Sequence, residues 1–379
     1  MNNQTPTICT SCIMDTTDPN ITFNEQGVCS RCEQFYNDIL PSWNYGKDKE
    51  TELKILLDKI KEEGKNKPYD CLLGLSGGLD STYLLHLAVK EFGLRPLVFH
   101  VDAGWNSPMA ISNIQNIVQK LNISLHTEKI NFKEMQAIQL AFFRAGVSHL
   151  DIPQDNAFVE ILDNYAKKHN IKYILNGGNI STEVVVNPTS WVYWGTDARQ
   201  NKDIIKKFSP IKIKHYKFTN VIKRKLIMPY VYRVKIVKPL NVLPYVKNDV
   251  LNLLAKEYNY EYYGQKHFES LMTKFIEGYW LPKRFGFDVR KPQLSSLILT
   301  NQLTRYEALS IIQKDPLSEK DGKELFSLIA KMLEVSEIEL ESYLTMPIKQ
   351  YTDYKHYNWL FSIGSKAMYT MKLDKLIRK

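Results

Sequence analysis

The strongest chemical signal in the chain is the run Tyr69-Asp-Cys-Leu-Leu-Gly-Leu-Ser-Gly-Gly-Leu-Asp-Ser-Thr82. An apolar stretch from Cys71 to Leu75 leads into Ser76-Gly77-Gly78-Leu79-Asp80-Ser81. A helix-like stretch then carries apolar residues on to Phe92 and stops at Gly93. Strand, glycine turn and helix start are the arrangement in which backbone N–H groups and the positive helix end cradle a phosphate. Gly77 and Gly78 let the backbone come close to the anion, and Ser76, Ser81 and Thr82 add hydroxyl donors. No Gly-Lys-Ser/Thr follows, so this is not the loop of the common nucleotide hydrolases.

Other polar groups stand where strands are expected to end. Arg95-Pro-Leu-Val-Phe-His-Val-Asp102 reads as a buried strand whose terminal Asp102 could accept from a ribose or adenine, or else cap the following turn. Lys172 to Leu175 reads as another strand, ending in Asn176-Gly177-Gly178-Asn179. Asp80 and Glu183 are candidates for holding Mg2+ against phosphate, because that ion prefers carboxylate and phosphate oxygen. Asp155 is a weaker candidate for the same task, with helix capping as its alternative.

Of five cysteines, Cys9 and Cys12 form one Cys-x-x-Cys pair and Cys29 and Cys32 a second, the two separated by 16 residues. This spacing suits tetrahedral thiolate ligation of Zn2+ in a closed, structural site. Disulfides are the competing account, but a cytoplasmic chain argues against them.

Strands alternating with helices predict a parallel sheet with right-handed crossovers, and ligands in such sheets bind beyond the carboxyl ends of the strands. The helices are read over Asp48–Gly64, after Ser107-Pro108 and over Asn156–His169, and a further strand over Ile123–Thr127. From about Pro239 the pattern turns mainly helical, with helices over Asn248–Tyr258, Arg305–Gln313, Glu319–Leu333 and Ser336–Leu344. The expected division is a ribbon over 1–45, an α/β domain over 46–240 and a mainly helical region over 241–379. At 379 residues, 44% apolar and 24% charged, the composition is that of an ordinary globular protein. No apolar run reaches the roughly 18 residues of a membrane span. The start has no secretory pattern, which leads to a cytoplasmic reading. The net charge of +9 is concentrated between Lys202 and Lys225, where nine Lys or Arg residues accompany the single acid Asp203. That stretch suits an anionic partner or a solvated basic face.

The stretch Tyr262-Tyr-Gly-Gln-Lys-His-Phe-Glu-Ser270 is dense in polar groups that a core would reject. Lys266 could neutralise phosphate and His267 could orient a group or relay a proton. Trp191-Val-Tyr-Trp194 could stack a sugar or base, with a half-buried strand as the commoner explanation.

The spacing Ser-Gly-Gly-x-Asp-Ser resembles the PP-loop of the ATP pyrophosphatase superfamily. The four cysteines, Gly177-Gly-Asn179…Glu183, Lys266-His-Phe-Glu-Ser270, Phe285-Gly-Phe-Asp288-Val-Arg290 and Thr304-Arg-Tyr-Glu-Ala308 extend the likeness over nearly the whole chain. Together they resemble the N-acetyl sugar amidotransferase family of bacterial surface-polysaccharide and lipopolysaccharide synthesis. Gln265 and Gln293 depart from that pattern, which has glycine and histidine there. The resemblance implies a PP-loop (adenine nucleotide alpha hydrolase-like) α/β fold with an N-terminal zinc ribbon. It implies conversion of a sugar acetamido group to an acetamidino group by adenylation of the amide oxygen, with ATP and Mg2+. A class I glutaminase subunit would supply ammonia, and the substrate would be an anionic, nucleotide-linked sugar. The implied catalytic set is Asp80, Glu183, Lys266 and His267. The implied nucleotide set is Ser76, Gly77, Gly78, Asp80, Ser81, Thr82, Asp102, Gly178 and Asn179. A tRNA-modifying PP-loop enzyme is the main alternative, disfavoured because thiolases of that kind need cysteines beyond the ribbon and only Cys71 is available. A non-catalytic nucleotide-binding scaffold is the other.

Overall fold

The computed structural model describes residues 6–43, 47–357 and 359. The first residues of the chain and the expected boundary at 45–46 fall outside these. The centre is a five-stranded parallel sheet in the order β3-β2-β1-β4-β5, with β1 Cys71–Gly74, β2 Pro96–Asp102, β3 Leu125–Lys129, β4 Tyr173–Leu175 and β5 Lys235–Val237. Leu73 of β1 lies beside Val98 of β2 on one side and Leu175 of β4 on the other. The chain winds outward from β1 through β2 and β3, then returns to place β4 on β1's opposite flank. The β1/β4 boundary is therefore the switch point where a crevice opens beyond the strand ends.

The central strands β1, β2 and β4 are covered on both faces and buried nearly throughout rather than alternating, whereas the outer strands β3 and β5 are largely exposed. Leu73 and Leu75 join one core with Leu84, Leu85, Ile114 and Leu254. Leu72, Leu97, Phe99 and Val101 join another with Ala166 and Ile174. The helix Leu79–His86 continues through a π-helical segment, Leu87–Glu91, and closes at Gly93 in a left-handed turn. Pro108–Lys120 is capped by Ser107, whose Oγ accepts from the Ala110 N–H, as the Ser-Pro pair predicts.

A third and larger core lies away from the sheet, among Phe142, Phe143, Phe275, Trp280, Phe326 and Ile329. Its central helix, Phe132–Ala145, is not anticipated from the sequence. Eleven of its 14 residues are buried, Glu134, Gln136 and Gln139 among them, so no polar stripe marks a solvent face. Leu271–Phe275, Leu281–Phe285, Arg290–Leu299 and Ala198–Phe208 are likewise helices beyond those anticipated. The helix expected from Asn156 begins at Ile152, so Asp155 sits in its first turn rather than capping it. Trp191 to Trp194 is not a strand: Trp191 is buried, stacked on Phe287 at 4.4 Å.

The basic stretch is not one open face. Glu134 accepts from the backbone N–H groups of Lys214, His215 and Tyr216 at 2.7 to 3.0 Å. Burial works against its charge, but those three donors hold its carboxyl below the usual range. Lys207, Lys223 and Arg224 are consumed in ion pairs with Asp203, Glu160 and Asp163. Among the described residues no helix is long and apolar enough to cross a membrane.

Gly77 adopts φ +85°, and a Cβ there would lie 2.8 Å from the Ala110 carbonyl oxygen. Gly77→Ala is expected to destabilise the protein by about 1–3 kcal/mol through left-handed strain and that clash. A urea midpoint that does not fall would show the loop to be less constrained.

Candidate functional site

The loop between β1 and the helix Leu79–His86 is held in shape by its own hydroxyls. Ser76 Oγ accepts from the Gly78 N–H at 3.1 Å and meets Ser81 Oγ at 3.1 Å, and Ser81 Oγ donates to the Gly78 carbonyl at 3.1 Å. Thr82 is fully buried, and its Oγ1 donates to the same carbonyl at 2.8 Å. Its hydroxyl therefore braces the loop, while Ser76 and Ser81 line the cavity in front. That cavity, about 950 Å³ in volume, opens at the carboxyl edge of the sheet.

Asp80, Glu183 and Lys266 meet here. Lys266 Nζ lies 3.0 Å from Asp80 Oδ2, 2.6 Å from Glu183 Oε1 and 3.3 Å from Thr182 Oγ1. Burial disfavours its charge, but the two carboxylates outweigh that and push its pKa up. Asp80 also accepts from the Tyr245 hydroxyl and from Asn179 Nδ2. Asn179, nearly fully buried, caps the short helix Ile180–Glu183 by accepting from the Thr182 N–H at 2.9 Å. Its contribution is to fix Asp80 and to start the turn that carries Glu183. Gly178 lines the cavity beside Glu183. Asp102 performs the bland alternative: its Oδ1 accepts from the Gly104 N–H at 2.9 Å and from Asn106 Nδ2 at 3.1 Å.

His267 lines the same cavity. Its Nδ1 lies 3.0 Å from Glu277 Oε1, on a backbone with φ +69°. Enclosure by the protein favours the neutral ring, but Glu277 more than compensates and brings the pKa up to about 9. The imidazole is thus held as a cation, although it opens onto the cavity.

Several lining residues were not anticipated. Glu269 lies against the loop, with Ser76 Oγ 3.4 Å from its Oε1. A Cβ at Gly78 would sit 2.7 Å from the same oxygen. Its burial raises the carboxyl's pKa. Tyr263 donates to the Gly77 carbonyl at 2.6 Å. Asp151 accepts on Oδ1 from Gln154 Nε2 at 2.8 Å and Thr273 Oγ1 at 2.9 Å, and burial followed by Asp155 and Glu277 pushes its pKa up to about 8. Glu269 stood inside a polar run already noted; Asp151 carried no local signal. Gln265 and Gln293 both line the cavity.

The four cysteine sulfurs lie within 4.8 Å of one another, all buried. The separations Cys9–Cys32, Cys12–Cys29 and Cys29–Cys32 are 3.9, 3.7 and 3.7 Å. Sulfurs at about 2.3 Å from one tetrahedral ion would stand about 3.8 Å apart, so the donor set fits a single metal ion. A disulfide would need sulfurs at about 2 Å. Arg305 ties the module to the helical region, donating to the Cys12 carbonyl at 2.9 Å and the Cys9 carbonyl at 2.7 Å. Lys291 pairs with Asp15 and Ser295 Oγ accepts from the Ile13 N–H.

Two family models match parts of the chain. Residues 70–177 match the phosphoadenosine phosphosulfate reductase domain, and residues 269–368 match the C-terminal domain described as LPS biosynthesis protein WbpG-like. They bear out the resemblance drawn from the motifs, a PP-loop domain joined to the C-terminal region of a polysaccharide-synthesis protein. No curated protein matches. Similar solved structures include NMN synthetase from Francisella tularensis, at 15% identity over 57% of this chain and 94% of that one, TM-score 0.30. The NH3-dependent NAD synthetase from Campylobacter jejuni is 16% identical over 68% and 95%, TM-score 0.30. The U34-tRNA thiolase NcsA from Methanococcus maripaludis with its 4Fe-4S cluster is 14% identical over 91% of each chain, TM-score 0.31. At such scores these likenesses carry no functional argument.

Two outcomes are expected from this geometry. Cys29→Ser should lower the metal content by elemental analysis from about one ion per chain to near none, with a drop in thermal stability. Retained metal would detach the site from these ligands. Glu277→Gln should bring the His267 pKa down from about 9, because enclosure then acts unopposed. The folded value exceeds the ordinary 6.5. The ion pair therefore contributes full stability below about pH 6.5 and loses it as pH rises through 9. Imidazole NMR titration of both proteins, with melting curves across that window, checks the shift and its sign.

Proposed function

We propose that this chain, which joins a PP-loop α/β domain to a WbpG-like C-terminal domain, is a cytoplasmic ATP-dependent amidotransferase of bacterial surface-polysaccharide synthesis. Its reaction would convert a sugar acetamido group to an acetamidino group, with AMP and pyrophosphate released. The observation that carries this reading is the shared cavity, in which the phosphate-type loop and the polar segment around Lys266 face one another.

The chemistry has a specific difficulty that such a cavity meets. An amide carbon is poorly electrophilic and its oxygen is a poor leaving group. Attack of that oxygen on the α-phosphorus of ATP forms the O–P bond, and the bond to pyrophosphate breaks with its electron pair. The loop backbone and the helix start behind it stabilise the charge that develops on pyrophosphate. Lys266, held charged by Asp80 and Glu183, lies within reach of the same region. Those two carboxylates would hold Mg2+, whose role when bound is to neutralise phosphate charge. Ammonia then attacks the activated carbon and AMP departs. A class I glutaminase subunit would supply the ammonia. The ribbon cysteines would hold Zn2+ as a structural ion. The thiolase alternative needs reactive sulfur at the nucleotide. The fifth cysteine, Cys71, is buried in β1, and burial raises its thiol pKa.

The test supplies Mg-ATP, an ammonium salt and nucleotide-linked diacetamido sugars to the full chain. AMP and pyrophosphate should form in step with a product in which one oxygen is replaced by N–H. AMP release stimulated by tRNA, with none from any sugar, would overturn the reading.

A further inference from the structure

Before it enters β5 the chain presents an apolar surface that no core uses. The nine-residue π-helical segment Lys223–Val231 buries Met228, which shares a core with Leu72, Phe99, Ala166 and Val234. Away from Met228 stand Ile222, Leu226 and Tyr230 at four-residue intervals, with Ile227 and Val231 repeating the interval alongside. All five are exposed, Leu226 by 56%, Val231 by 68% and Tyr230 by 76%. Single apolar residues on a surface are ordinary, but a contiguous group of them marks a place of contact. Two ion pairs pin the start of the segment, Lys223 to Glu160 and Arg224 to Asp163. The Val234 N–H donates to the Met228 carbonyl at 2.9 Å at its end. The apolar side chains are therefore held outward by a backbone fixed at both ends.

The charge around them has one sign. Between Asp203 and Asp249 the sequence holds twelve Lys or Arg residues and no acid. Lys223 and Arg224 answer the two acids beneath the segment. Lys225, Arg233 and Lys235 are exposed, and among the described residues none of the three has an ion pair. Lys167, near the end of the helix Ile152–Lys168, adds a further cation, its Nζ 5.1 Å over the ring of Tyr232.

These two properties together select the occupant. A second copy of this chain, docked by the same face, would set like charges against one another. A nucleic acid would satisfy the cations but leave the aliphatic side chains in water. A partner that feeds the cavity gains nothing by docking here. The segment leads into the amino end of β5 and Lys167 lies just before β4, whereas the cavity opens at the carboxyl edge of the sheet. A bilayer with anionic headgroups takes up both components, the apolar side chains at the acyl boundary and the cations among the phosphates.

We infer that the outward face of residues 222–231, with Lys225, Arg233 and Lys235, is a docking surface for an anionic phospholipid bilayer. The contact is interfacial, since among the described residues no helix is long and apolar enough to cross a membrane. It leaves the mouth of the cavity open to solvent, and it does not depend on which reaction the cavity performs.

The test is co-sedimentation of the full chain with lipid vesicles. Binding should be clear on phosphatidylcholine vesicles that contain phosphatidylglycerol, weaken as NaCl is raised, and be slight on phosphatidylcholine alone. Two double variants separate the components. Leu226→Gln with Tyr230→Gln removes apolar contact at constant charge, and Lys225→Gln with Lys235→Gln removes charge. Each should lower the partition onto anionic vesicles by about tenfold or more. All four positions are exposed, so urea midpoints should stay at the wild-type value and exclude unfolding as the cause. Loss from the charge variant alone, with polyglutamate bound as tightly as the vesicles, would overturn the bilayer in favour of an acidic protein. Failure of the wild-type chain to bind anionic vesicles, or undiminished binding by both variants, would overturn it as well. So would a lipid-free dimer in sedimentation velocity that the Leu226 and Tyr230 substitutions abolish.

Discussion

Lys266 binds the two halves of the site together. Its ammonium sits between a carboxylate on the helix after β1 and one on the turn after β4, on either side of the point where the sheet reverses its winding. Removing the lysine would leave two partly enclosed carboxylates facing one another, so loop, turn and C-terminal region are electrostatically interdependent. Tyr245 and Asn179 add neutral donors to Asp80, which keeps that carboxylate oriented whatever the lysine contacts. A lysine held by two acids is also a movable charge, able to answer the arrival of phosphate without first being protonated.

The segment 266–277 does the same work over a longer distance. Lys266 holds Asp80 and Glu183, Glu269 lies against Gly78, and His267 pairs with Glu277. One short stretch thus brings a lysine, a histidine and two carboxylates to the cavity wall. The helices behind this stretch are anchored in the large aromatic core around Phe143, Phe275 and Trp280, which gives the polar face a rigid backing.

The cysteine module has a different dependence. It is small, and much of its folding energy would come from a metal, but its position comes from Arg305, Lys291 and Ser295 on the C-terminal helices. Its own apolar residues pack with Val185 and Leu299, close to the turn that carries Glu183. Loss of the module would therefore be felt at the cavity through packing rather than through chemistry.

The loop, the strands leading into it and the cysteine pairs were legible in the sequence because each depends on local spacing: period, glycine placement and ligand separation act within a few residues. Lys266 and His267 were legible as polar groups in an otherwise apolar setting, but their partners were not. Glu277 is ten residues away from His267, Asp80 nearly two hundred from Lys266, and no periodicity links them. The helix Phe132–Ala145 escaped for the opposite reason, since a helix buried on nearly every side has no stripe to display. Asp102 kept its turn and Asp155 did not cap a helix. Both were open alternatives at the level of sequence, since a carboxylate at a strand end or before a helix can serve either role. Only the long-range packing that places Thr273, His267 and Glu277 opposite the start of Ile152–Lys168 decides which carboxylates face the cavity, because that proximity is created by the fold and not by the chain.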